Sequence, residues 1–175
     1  LRFKVTANSN GDVGLNKFTV TLATTTSGTI SVTGVNIYGF TDSSYSTGIS
    51  GVSTGGQISA SNVAPNGSGV AAISAQTLAA AATTVVVPAG QTRYFEVRGT
   101  VAGSGTSFSV TTTLGGDSSY PSLASFMGTV SGLSSSSFLW SPNATGTSVT
   151  TANDWTNGYG LVGLPSNGII NTRSN

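Results

Sequence analysis

Apolar residues recur at every second position along most of this chain and nowhere at the 3.6-residue spacing of a helix, so a core can form only by pairing strands into sheets. Leu1, Phe3, Val5 and Ala7 alternate with Arg2, Lys4 and Thr6. Phe18, Val20 and Leu22 alternate with Lys17, Thr19 and Thr21, and Ile30 and Val32 continue the pattern. A further strand is expected after Gly34, over residues 35–40, with weaker ones over 57–60 and 69–74. Val85-Val86-Val87 leads through Pro88-Ala89-Gly90 into the clearest strand, where Phe95, Val97 and Val101 alternate with Tyr94, Glu96, Arg98 and Thr100; these two segments read as a hairpin. Phe108, Val110, Thr112 and Leu114 form one more, with Ser107, Ser109, Thr111 and Thr113 opposite. The Ala-rich segment 78–82 fits either a helical turn or a strand.

Short strands with Gly, Pro and Asn punctuation predict an all-β chain, an Ig-like antiparallel β-sandwich with little or no helix. The texture changes after Leu114. A Ser-rich stretch at 131–137 precedes Phe138-Leu139-Trp140 and a second cluster over 154–164. Residues 1–114 are therefore expected to form the sandwich core. Residues 115–175, too poor in apolar residues for a core of their own, are expected to form an accessory region docked on the sandwich or on a neighbouring copy.

The chemistry available is narrow. Charged residues are 6% of the chain and the net charge is +1, which provides no basic field for nucleic acid. No apolar run of about 18 residues is present, so membrane insertion is not expected. The start lacks Met and an apolar leader segment and reads as that of a processed product or fragment. There is no Cys and no His, which removes disulfides, thiolate and imidazole metal sites, Ser-His-Asp and Cys-His nucleophiles and the commonest general base. The carboxylates are Asp12, Asp42, Glu96, Asp117 and Asp154, and Glu96 pairs most simply with Arg98 on its own strand face. No enzyme, cofactor or metal is expected.

Weaker signals remain. Asn8, Asn10 and Asp12 place oxygens at alternating positions, loosely like a calcium loop, but the same residues make a plain turn. Thr19/Thr21 and Thr111/Thr113 resemble the hydroxyl arrays of ice-binding solenoids without their fixed repeat, and read as the solvated face of strands. Trp140, Trp155 and Tyr159, with Tyr45 and Tyr120, lie in loop-like surroundings, where they would stack on sugar rings or pin the accessory region. Asn66-Gly67-Ser68 and Asn143-Ala144-Thr145 are N-glycosylation sequons. Lys4 and Lys17 are expected to point outward, away from any isopeptide chemistry.

Three segments, LRFKVTANSNGDVGLNKF from Leu1, VPAGQTRYFEVRGTV from Val87, and FLWSPN from Phe138 followed by DWTNGYGLVGLP, together resemble uncharacterised extracellular proteins of candidate-phyla-radiation bacteria. The resemblance implies an Ig-like sandwich on a cell surface, of adhesin, surface-layer or fibre type, and brings no catalytic residues. The combined expectation is an extracellular structural protein whose partners are other copies of itself, in a fibre, pilus-like filament or surface layer. Leu1, Phe3 and Val5 are the candidate donor strand, with the tail beyond Tyr159 as an alternative donor. The competing expectation is a carbohydrate-binding or adhesive module that contacts surface glycans through its loop aromatics.

Overall fold

The computed structural model of the chain describes residues 1–26, 29–75, 79, 82–104, 108–117, 136–143 and 154–174. The Ala-rich segment beyond residues 79 and 82, Tyr120, and most of the Ser-rich stretch lie outside these residues.

The described chain is an all-β sandwich of two packed antiparallel sheets. The smaller sheet has the order β1-β6-β3, with β1 at Arg2–Thr6, β6 at Thr92–Ser104 and β3 at Thr29–Phe40. The larger is seven-stranded and is organised around β2 (Val13–Thr26). β7 (Phe108–Leu114) pairs with the second half of β2, and β8 (Phe138–Ser141) with the first half. β4 (Val70–Ser74) and β5 (Val85–Val87) pair with β2 as well. Phe18 faces both Phe138 and Ile73, and Val20 faces both Leu114 and Ala71, so β7 and β8 share one side of β2 and β4 and β5 share the other. β10 (Ile169–Ser174) extends the sheet beyond β7, and the short β9 (Thr156–Asn157) beyond β8. The only helical element among the described residues is a 3-10 turn, Thr54–Gly56.

Period-two alternation sets the inner faces, and two bulges adjust it. At Asn16 the register of β2 against β8 shifts, so Leu15 and Phe18 both enter the core. Near Gly34, whose φ is +61°, β3 bulges against β6; the expected pair of strands around this glycine is therefore one strand, and Val35 and Ile37 are both buried. Phe18 is the hub joining the sheets. Its ring lies 5.4 Å from Phe95 and 5.9 Å from Phe3 in the smaller sheet and 5.3 Å, edge-on, from Phe138 in its own. These are ordinary separations for stabilising aromatic pairs.

The strand pairing departs from expectation in places. Val85–Val87 does not form a hairpin with the strand after it: β5 pairs with Val13–Leu15 in one sheet, and β6 lies in the other. Pro88-Ala89-Gly90 is a crossover, tied to the crossover that precedes β2 by Ala89 N–H donating to Asp12 Oδ1 at 2.8 Å and Gly90 N–H donating to Asn8 O at 3.2 Å. Beyond residue 114, β8, β9 and β10 are built into the larger sheet, and Phe138 belongs to the same core as Phe18. The cause is that β7 and β8 run along one line beside β2. Gly115 N–H donates to Thr19 O at 2.7 Å and Thr19 N–H to Ser137 O at 2.8 Å, so the ladder resumes where it paused. The weak strand expected at 57–60 is reduced to an isolated bridge of Gln57 to Tyr38 followed by bends, with Gly48 and Val63 bridging β3 in the same way.

Candidate functional site

The outer face of the smaller sheet collects half of the chain's cations. Glu96 stands at its centre. Arg2 grips Glu96 Oε1 through Nε and Nη2 at 2.9 and 2.8 Å, and Arg98 grips Oε2 through Nε and Nη2, both at 2.7 Å. The ion pair expected of Glu96 and Arg98 thus forms, with Arg2 of β1 as a second partner. Burial pushes the Glu96 carboxyl up, but the hydrogen bonds from Arg98 and Arg2 outweigh it and hold the carboxyl below its ordinary value. Each guanidinium also covers a ring: Arg2 lies 4.2 Å from the Tyr45 centroid and Arg98 4.3 Å from that of Tyr38. Tyr45 packs edge-on against Phe40 and Tyr94.

Tyr45 is held with φ +59° by a loop that folds around Asp42. The Asp42 carboxylate accepts hydrogen bonds from the Ser44 hydroxyl, from Thr47 N–H at 2.7 Å, from Ser44 N–H at 3.0 Å and from the Ser46 N–H and hydroxyl. The Ser44 hydroxyl does most to hold this carboxyl far below its usual range. Asn36 anchors the next loop. It is fully buried, and its Nδ2 donates to Ser59 O and Ser61 O at 3.1 Å while its Oδ1 accepts from Ile37 N–H at 2.9 Å and Ser59 N–H at 3.2 Å. Sequence reasoning missed Asn36 because alternation placed it on a solvated face. An Asp followed by Ser and Thr is a turn signature that would have pointed to Asp42.

The larger sheet's outer face differs. The Thr-x-Thr runs lie side by side in register, Thr21 opposite Thr113 and Ala23 opposite Thr111. β10 adds Thr172, whose hydroxyl bonds that of Thr111 at 2.8 Å, and Ile170, which is 56% exposed. β4 adds Ala72 opposite Thr19. The only charged residue these strands turn to this face is Lys17, at one end. Lys17 is half-buried rather than fully outward: burial pushes its ammonium down, against the opposing pull of Asp117. Lys4 is exposed.

The other candidate residues fall as follows. Leu1, Phe3 and Val5 pack within their own molecule: β1 pairs with β6, Phe3 is in the core, and its ring stacks on Phe95 at 5.1 Å. A neighbour would receive this strand only at the expense of that stack, so it is a poor donor. The tail beyond Tyr159 is likewise committed, through β10, to β7. Trp155 is 0% exposed and has no face to offer a sugar. Trp140 is half-buried and donates from Nε1 to Asn157 O at 3.1 Å. Trp140 thus ties β8 to β9. Tyr159, 43% exposed, is the one member of this aromatic trio that stands out to solvent.

Asn66 is exposed and uses Oδ1 to accept from Ser68 and Val70 N–H at 2.9 and 3.0 Å, leaving its sequon on the surface. Asn143, with φ +54°, buries its side-chain amide, which is not a position a glycan reaches; Ala144 and Thr145 of that sequon lie outside the described residues. The oxygens of the 8–12 turn are spent on the backbone, Asn8 Oδ1 accepting from Asn10 N–H at 3.0 Å and Asp12 from Ala89 N–H at 2.8 Å, as in a plain turn. Asp117 accepts from Ser137, Phe138 and Gly158 N–H at 2.7, 3.1 and 2.9 Å, and so clamps the two ends of the interrupted β7–β8 line to the start of the following loop. Among the described residues, no group of three or more acidic, His or Cys side chains is placed to hold a metal ion.

In comparison with known proteins, no family model matches the chain, no curated protein matches it significantly in sequence and no solved structure matches it significantly in fold.

Proposed function

We propose that this chain is a non-enzymatic structural protein of a cell surface, and that it works by associating with copies of itself in a fibre, filament or layer. The observation that carries this reading is the outer face of the larger sheet, an array of threonine, serine, alanine and isoleucine in which Lys17 is the one charged residue among the described strands. Such a face has little charge to repel an identical one, and its exposed Ile170 gains by being covered. The carboxylates support the non-enzymatic part, since Asp12, Asp42, Glu96 and Asp117 each hold a loop, a crossover or an arginine pair in place. The extracellular location is proposed from the charge scarcity of the chain and from the three segments that resemble extracellular bacterial proteins.

Sedimentation and negative-stain electron microscopy of the purified 175-residue chain test this reading. Concentration-dependent ordered oligomers are expected, weakened by Ile170→Lys. A chain that stays monomeric at high concentration overturns it. Glycan-array binding abolished by Tyr159→Ala would replace it with the carbohydrate-binding reading; Trp155→Ala is unsuited to that test, because the ring is in the interior.

A further inference from the structure

Period two sets Arg93 on the face of β6 that carries Phe95, opposite Val5 of β1, so a guanidinium stands where the pattern calls for an apolar side chain. Arg93 is half-buried, and its Nη1 donates to Thr92 O at 3.2 Å. Among the described residues it makes no other hydrogen bond and no ion pair. The carboxylates are committed elsewhere: Glu96 to Arg2 and Arg98, Asp12 to the crossover, Asp42 to its own loop and Asp117 to the junction of β7 and β8. A guanidinium carries five donors in one plane, and enclosing a cation without a partner costs stability. The fold thus holds Arg93 at a cost and uses one of its donors.

This arginine lines a cavity of about 350 Å³ between the loop that follows β3 and the strand β5. Small-ligand sites occupy about 300–1,000 Å³, so the cavity suits a compact molecule. Its walls are of two kinds. Ile49, Val86 and Pro88 supply apolar surface, while Thr41, Ser50 and Thr83 supply hydroxyls. The Thr41 and Thr83 hydroxyls already donate, to Thr47 O at 3.4 Å and to Gly51 O at 3.5 Å, which leaves their lone pairs as acceptors.

Each wall selects a property of the ligand. One unpartnered cation balances one negative charge, which suits a carboxylate, held by two parallel N–H···O bonds, better than a phosphate monoester with nearly two charges. Hydroxyl acceptors suit a molecule that carries hydroxyl groups of its own, and the apolar wall suits the C–H face of a ring. We infer that this cavity binds a small hydroxylated carboxylate, the chemistry of a hexuronic acid, with Arg93 gripping the carboxylate and Thr41, Ser50 and Thr83 receiving the ring hydroxyls. The inference is independent of self-association, since a chain monomeric at every concentration keeps the cavity. Such a ligand occurs as the free acid or as a residue of an acidic polysaccharide.

Titration of the 15N-labelled 175-residue chain with galacturonate, followed by NMR, tests it. Saturable shifts are expected at the Arg93 Nε–H and at the main-chain amides of Ser50, Gly51 and Thr83, and none with galactose, which lacks the carboxylate. Polygalacturonate that binds more tightly than the monomer identifies the polysaccharide as the source; equal affinity per residue identifies the free acid. Arg93→Gln is expected to weaken galacturonate at least about tenfold without lowering Tm, because no internal ion pair is lost. Arg93→Lys keeps the charge but gives up the planar fork, and weakens binding by less. Thr83→Val, which leaves the guanidinium in place, is expected to weaken galacturonate and to leave acetate unchanged. Lys4→Gln removes an equal charge from the exposed side of β1 and is expected to change nothing. Absence of saturable shifts at these groups overturns the inference. So does acetate or inorganic phosphate binding as tightly as galacturonate, which would make the cavity an unselective anion site. An Arg93→Gln chain that loses stability while keeping its affinity would make the arginine structural, and overturns the inference as well.

Discussion

Outside the smaller sheet, charge and aromatic rings are interleaved: Arg2, Glu96 and Arg98 run among Tyr38, Tyr45 and Tyr94, and each of the three charges is satisfied by its neighbours. Outside the larger sheet, equivalent outward positions hold Thr21, Thr111, Thr113, Thr172 and Ile170, and hydroxyls and methyl groups take the place of ion pairs. The same strand geometry therefore supports two opposite surfaces. One has its strong groups turned on each other and fixes its own loops. The other has few directional demands, and it is the face through which self-association is proposed.

Phe18→Ala breaks this comparison most completely, because Phe18 belongs to neither face and holds both sheets together. Loss of its contacts with Phe3, Phe95 and Phe138 is expected to cost about 3–5 kcal/mol in urea denaturation, with both faces lost in a single transition. Asn36→Ala acts on the smaller sheet alone. It removes the amide that bonds Ser59 N–H and the Ser59 and Ser61 carbonyls in the interior and is expected to cost about 2–3 kcal/mol; hydrogen exchange should show lost protection around residues 57–63 and unchanged protection in β7.

The smallest effect is acid sensitivity confined to one face. Glu96 and Asp42 are both held below their ordinary values, so their stabilisation is present above the unfolded pKa, about 4, and is lost as pH falls through the folded values. Glu96→Gln is expected to cost under about 1 kcal/mol at neutral pH and to flatten the fall in stability below pH 4, whereas Thr113→Val leaves that profile unaltered. A profile insensitive to Glu96→Gln would show that the ion pairs are ornamental to the fold.

Strand faces were legible wherever alternation was uninterrupted, as in Phe95 and Val97 or Phe18 and Val20, because burying one side of a strand requires that period. Strand partners were not. Val85–Val87 looks locally like half of a hairpin, yet its partner, Val13–Leu15, lies far away in sequence. The unity of β7 and β8 was hidden for the same reason: an ungapped strand is recognised by contiguity, and this one is split. Burial in irregular segments escaped too. Trp155 sits among polar loop residues and is nonetheless fully enclosed, and Asn36 alternates like a solvated residue but is covered by a loop arriving from residues 57–62. The charged centre was half legible, since Glu96 and Arg98 share a strand, while Arg2 comes from another strand altogether.

The split between β7 and β8 makes one carboxylate the keeper of a register. Gly115 N–H bonds Thr19 O and Thr19 N–H bonds Ser137 O, while Asp117 accepts from Ser137, Phe138 and Gly158 N–H, beside Gly158, where an added Cβ would stand 2.8 Å from Phe138 Cβ and 3.2 Å from Asp117 Oδ2. Two strands distant in sequence are thus kept on one line by three main-chain donors that converge on a single side chain, and the alignment of β8 hangs on a residue that belongs to no strand.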